Sequence, residues 1–185
     1  MLLLLGLVSS PLLTRLLDEK YGDYAFLMSV FAIFMIFVSS GVSDGVRKFL
    51  AEQRDDVNWA EHVVGFYLRL AVVLAALGAA FLAGIARLGI IDPFLAGARF
   101  ETYFYLLAVL VVAAQFREYS RRTLMGFGLE SHSEPLRVLG KLLFLGSGLT
   151  LAYWGYGVVG VLVGHILSST VVALLGFWFI RRQVS

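Results

Sequence analysis

Residues 142–180 form 39 consecutive positions without a single Asp, Glu, Lys or Arg. About 20 apolar residues of helix cross the roughly 30 Å hydrocarbon core of a bilayer. The run is therefore too long for one crossing and suits two. Tyr153-Trp154-Gly155-Tyr156-Gly157 at its centre supplies a turn, with aromatic side chains of the kind that settle at a membrane–water interface. The expectation is a hairpin of two membrane helices, over 136–153 and 158–180.

The rest of the chain obeys the same logic. Apolar residues make up 59% of it and charged residues 15%, and a soluble domain of this size has too little interior to hide that much hydrocarbon. A second segment, 24–46, contains an uncharged stretch bracketed by Asp23 and Asp44. A third, 62–86, is interrupted by Arg69, and a fourth covers 102–122, the two being separated by a loop with a turn at Asp92-Pro93. The first segment, 1–17, is short and reaches crossing length only if Arg15 snorkels to the interface. Met1 to Leu13 has the length of a signal-peptide core, but it has no basic leader and no small-residue cleavage site before Arg15, and further hydrophobic segments follow. The expected fold is an all-α polytopic membrane protein, with six transmembrane helices in one lobe over 1–185. The short first helix and the abrupt Arg181-Arg182 end read as a fragment of a longer chain.

Six spans leave ten basic residues on one side and four on the other, with Arg69 inside a span. The positive-inside rule makes the richer side cytoplasmic and puts both termini there, in a multi-pass protein of the plasma membrane. With no cysteine there is no disulfide framework and no thiolate metal site. A net charge of +2 without a basic, aromatic-interleaved segment argues against nucleic acid. No phosphate-loop, zinc-protease or nucleophile-elbow motif is present, and no residue pattern calls for a cofactor.

Charges inside spans carry the most information, because burying one in hydrocarbon costs several kcal/mol unless water, protein or a ligand meets it. Arg69 has two readings, an anion grip on a wet cavity or a side chain snorkelling to the interface. His165 likewise reads as a cavity-facing proton or ligand group, or as a helix–helix hydrogen bond. Arg117 and Arg121 share a helical face, with Glu118 and Arg122 as an i, i+4 pair beside them; the cluster would receive phosphates or simply orient the helix. Arg47 and Lys48 carry the same ambiguity. Gly41 and Gly45, and later Gly157, Gly160 and Gly164, suit close helix packing or a break. Asp18, Glu19 and Asp23, or Asp55 and Asp56, have no ligand spacing and read as solvated helix ends.

Three places together resemble the polysaccharide and lipid-linked oligosaccharide flippases of the MOP transporter superfamily. They are Arg15 followed by Tyr21-Gly22-Asp23-Tyr24, the Gly-rich exit Gly41-Val42-Ser43-Asp44-Gly45-Val46-Arg47-Lys48, and Leu124-Met125-Gly126-Phe127-Gly128-Leu129-Glu130 joined to Tyr156-Gly157-Val158-Val159-Gly160. The resemblance implies the first of two six-helix lobes enclosing a cavity that opens alternately to each side. It also implies non-enzymatic export of a polyisoprenoid-linked glycan from the cytoplasmic to the outer leaflet. The partners would be the lipid bilayer, that glycan lipid, and a C-terminal lobe on the same or a partner chain. Arg69, with Arg15, Arg47 and Arg121, are the expected substrate contacts. Alternatives are a small-cation or drug exporter of the same superfamily, a membrane enzyme of glycolipid metabolism, or a structural subunit.

Overall fold

The computed structural model describes residues 2–52, 58–89 and 99–184, with side chains for 9–52, 58–89 and 100–183. The expected Asp92-Pro93 turn, Arg54, and the Asp55-Asp56 pair lie outside them. Among the described residues all regular structure is helical: α1 (Leu2–Leu17), α2 (Tyr21–Ser39), α3 (Val42–Ala51), α4 (Trp59–Arg87), α5 (Arg99–Gly126), α6 (Glu130–Leu151) and α7 (Gly157–Val184). Four helical stretches have the length and apolarity to cross a membrane: Ser9–Ser39, Trp59–Arg87, Phe100–Gly126 and Glu130–Gln183.

The expected six spans are not all present. α1 has only 16 residues, about 24 Å at roughly 1.5 Å per residue, which is short of a crossing. It continues through a 3-10 turn, Asp18–Lys20, into α2. Counted as helices that each suffice to cross, the described residues hold four to five, because Glu130–Gln183 turns back on itself at Gly155. There the backbone takes φ +93° at Gly155 and φ +53° at Gly157, the positive region that glycine enters without penalty. The hairpin expected from the uncharged run is thus in place, with Tyr153 and Trp154 exposed at its tip.

The expected 24–46 segment also differs, since it ends at Ser39 and a separate helix follows. Gly41 takes φ +73° and ends the first helix. α3 then buries Val42, Val46 and Leu50 on one face, with Asp44, Arg47 and Lys48 exposed on the other. This is an i, i+4 apolar stripe of the kind that seats a helix against a protein surface. Trp59 Nε1 donates to Phe49 O at 2.9 Å, tying the start of α4 to α3.

α5 is the central helix. Tyr103, Phe104, Leu107, Leu110, Val111, Ala114, Tyr119 and Leu124 along it are all buried. α2, α3 and α4 pack on one part of its surface and α6 and α7 on the rest. Outward-facing side chains remain strongly apolar, as at Phe37 and Leu77 (70% and 62% exposed), which suits a lipid environment. Association of such helices in lipid rests on close packing more than on apolar burial. Small residues supply it: a Cβ at Gly176 would collide with Ser120, one at Gly164 with the backbone of Gly148, and one at Gly45 with the Tyr67 ring.

Two ends of the bundle can be distinguished. The Asp18–Lys20 turn lies beside the α6–α7 hairpin, where Lys20 Cδ is 4.0 Å from a Cβ built on Gly157. The opposite end gathers α3, the turn between α5 and α6, and Arg181 and Arg182 of α7. Gly126 abuts Leu50 there, and Arg122 lies 3.9 Å from Asp44. Five exposed or half-exposed basic side chains, Arg47, Lys48, Arg122, Arg181 and Arg182, decorate this basic end.

Candidate functional site

Where α5, α6 and α7 meet, helical spacing puts cations from different helices on a common wall. Arg117 and Arg121 are one turn apart on α5, and Arg137, Lys141 and Phe144 follow one face of α6 at i, i+4, i+7. His165, Ser168 and Val172 do the same on α7. Together with Glu118, Leu136 and Gly140, these side chains line a cavity of about 380 Å³.

The cavity begins near the basic end and runs deep. Lys141 sits about 16 Å along α6 from Glu130, and His165 about 12 Å along α7 from the hairpin, at roughly 1.5 Å per residue. The floor is aromatic. The Phe144 and His165 rings stack with centroids 3.8 Å apart, and the Tyr24 hydroxyl lies 3.1 Å from His165 Nε2.

Carboxylates offset part of the positive charge. Arg121 Nη1 donates to both Glu118 oxygens at 3.3 and 3.4 Å, and Nη2 lies 4.0 Å from Glu134. Arg137 is 3.7 Å from the same Glu134. Arg117 reaches Glu118 at 3.4 Å and donates to Ser169 Oγ on α7 at 3.0 Å. Four cations and two carboxylates leave a net positive site. The Arg121 Nε is buried without a hydrogen-bond partner. Chemically, such a wall can hold an anion through charge-assisted hydrogen bonds from guanidinium and ammonium groups.

A family profile described as polysaccharide biosynthesis protein matches residues 2–184. The chain belongs to this family. It is the polysaccharide and lipid-linked oligosaccharide flippase family of the MOP superfamily, the one its short motifs resemble. Comparison with curated proteins and with solved structures gave no match.

In this member of the family, the four expected substrate contacts are not brought together. Arg121 lines the cavity. Arg15 is exposed near the end of α1, Arg47 is exposed on α3, and Arg69 shares an exposed face of α4 with Phe66, Val72 and Val73. Arg122 does not form the expected pair with Glu118. Its guanidinium turns toward Asp44 of α3, while Glu118 is engaged by Arg117 and Arg121. His165 combines its two readings, bonding Tyr24 across helices and lining the cavity.

Arg137 and Lys141 fall at the start of the expected 136–153 helix, where they count only among the ten basic residues of one side. The helix starts at Glu130 and carries Pro135 within its second turn. The signal that could have found them is the face shared by Arg137, Lys141 and Phe144, continued into the uncharged run.

Proposed function

We propose that this chain forms one lobe of a flippase that moves a lipid-linked oligosaccharide or polysaccharide precursor from the cytoplasmic to the outer leaflet. The cavity between α5, α6 and α7 would receive the phosphate of the carrier lipid. One observation carries the reading: Arg117, Arg121, Arg137 and Lys141 converge on a cavity that runs between the helices to the Phe144–His165 stack in a member of a polysaccharide biosynthesis family. Cations at that depth are costly unless water or an anion meets them. A phosphate on a polyisoprenoid satisfies both requirements, with its charge in the wet cavity and its tail in the bilayer. The same wall would repel a small cation, which disfavours the drug-exporter alternative.

On this reading the basic end, with Arg181 and Arg182 near the end of α7, is cytoplasmic, and the role is transport without chemistry. Alternating access requires a second lobe, on the same polypeptide or a partner chain, rocking against this one. The test is translocation of a fluorescent polyprenyl-diphosphate sugar in vesicles containing the purified protein together with its second lobe. Replacing Arg117, Arg121, Arg137 and Lys141 together with Gln is expected to abolish it. Unchanged translocation at equal protein level would overturn the proposal.

A further inference from the structure

The four cations of the cavity are not equivalent, and their partners divide them into two groups. Arg121 is held by both oxygens of Glu118 and approached by Glu134, and Arg137 is approached by Glu134. An anion arriving at either guanidinium also meets a carboxylate a few ångströms away, and the opposing charge offsets much of the attraction. Lys141 stands differently. Among the described residues no carboxylate lies within ion-pair distance of it, and its ammonium sits 5.5 Å from the Phe144 ring centroid. Arg117 shares Glu118 with Arg121, but its other terminal nitrogen is anchored across the helix interface to Ser169 Oγ. Ser169 is fully buried, so this neutral acceptor fixes the guanidinium on the α7 side of the cavity.

We propose that the phosphate seat within the cavity is formed by Arg117 of α5 and Lys141 of α6, flanked by Ser168 and His165 of α7, and that Ser169 is the residue that positions Arg117. Arg121 and Arg137, with Glu118 and Glu134, form the charge-balanced rim through which the ligand passes. This rests on the transport reading above and sharpens it to a subsite.

An unpaired lysine at this depth is the observation that points to a ligand. A charge among packed helices is tolerated where it is paired or meets water, and half-buried Lys141 has an aromatic face and, among the described residues, no carboxylate within ion-pair distance. Its ammonium and the Arg117 guanidinium approach the cavity from two helices that both pack on α7. An anion bridging them would therefore hold α5 and α6 together across α7. Ser168 lines the seat with its hydroxyl donated to His165 O at 3.0 Å, so the donors to the anion come from Arg117 and Lys141. His165 closes the seat against the Phe144 ring.

The probe is inorganic pyrophosphate, titrated calorimetrically into the purified protein in nanodiscs of uncharged lipid. Lys141→Gln is expected to weaken binding about tenfold or more, and Arg137→Gln only about two- to threefold, since it removes a cation already offset by Glu134. Ser169→Ala should weaken binding about three- to tenfold, while Ser169→Thr, which keeps the hydroxyl, should recover to within about twofold. Lys141→Arg should likewise retain most of the affinity, separating loss of charge from misfolding. Equal losses in Lys141→Gln and Arg137→Gln, or a Ser169→Thr variant as weak as Ser169→Ala, would overturn the seat and leave the transport reading standing. Absence of saturable pyrophosphate binding by the unmodified protein would bring down both.

Discussion

The Tyr24 hydroxyl lies 3.1 Å from His165 Nε2, joining α2 to α7 although the two residues stand 141 positions apart in the chain. The bond sits at the floor of the basic cavity, where His165 is also stacked on Phe144. Interhelical hydrogen bonds of this kind average about 0.6 kcal/mol in membrane proteins and reach about 1.7. Tyr24→Phe should therefore lower stability by about 0.6–1.7 kcal/mol, measured as the unfolding midpoint in detergent. His165→Ala should cost more, because it also removes the ring stacked on Phe144. A His165→Ala variant as stable as Tyr24→Phe would contradict a packing role for the stacked ring.

Gly164 and Gly148 bring the backbones of α7 and α6 into contact, and a Cβ on Gly164 would fall onto the Gly148 backbone. Gly164→Ala is expected to force the helices apart at a cost of about 1–3 kcal/mol. Gly84 on α4 has nothing within 4 Å of its would-be Cβ. There Gly84→Ala should stabilise by about 0.5–1 kcal/mol through better helix propensity. Side-by-side thermal unfolding of the two variants checks both signs.

Gln115 is fully buried and its Nε2 donates to Val38 O at 3.0 Å. That carbonyl lies in the last turn of α2, where the break at Gly41 removes the usual intrahelical donors. Gln115→Leu loses this bond but also removes the unpaired Gln115 Oε1, so the net cost should be about 1 kcal/mol. Gln115→Glu places an acceptor-only carboxylate against a carbonyl and should cost about 3 kcal/mol or more. Unfolding in graded denaturing detergent distinguishes them. A Glu variant no weaker than the Leu variant would rule out this account of the helix break.

The chain contains no cysteine, so single cysteines can be placed and labelled without background. If the basic end is cytoplasmic, Tyr153→Cys at the hairpin tip should react with a membrane-impermeant maleimide in intact cells. Lys48→Cys on α3 should react only after permeabilisation. The reverse pattern would refute the proposed orientation.

Much of the molecule is written locally. The uncharged run 142–180 already required two membrane helices and a turn, and the glycines at 155 and 157 take the positive φ that turn needs. The shared face of Arg117 and Arg121 was equally readable, because a spacing of four on a helix determines it. Gly41 was legible as a possible break, but whether it breaks the helix or packs a neighbour depends on what lies alongside. In the fold Gly41 ends α2, while Gly45 accommodates the Tyr67 ring.

Sequence alone determined the class of solvent this chain requires, the helical character of its segments and, through short motifs, its family, because hydropathy and turn chemistry act over a few residues. The tertiary structure decided which charges meet. Arg121, Lys141 and His165 come from three helices, and their convergence depends on the rotation of each helix about its axis. Contacts such as Gly176 on Ser120 and Gly164 on Gly148 set that rotation. No local pattern encodes it, which is why Arg69 looked like the strongest candidate in the sequence and yet lies apart from the cavity between α5, α6 and α7.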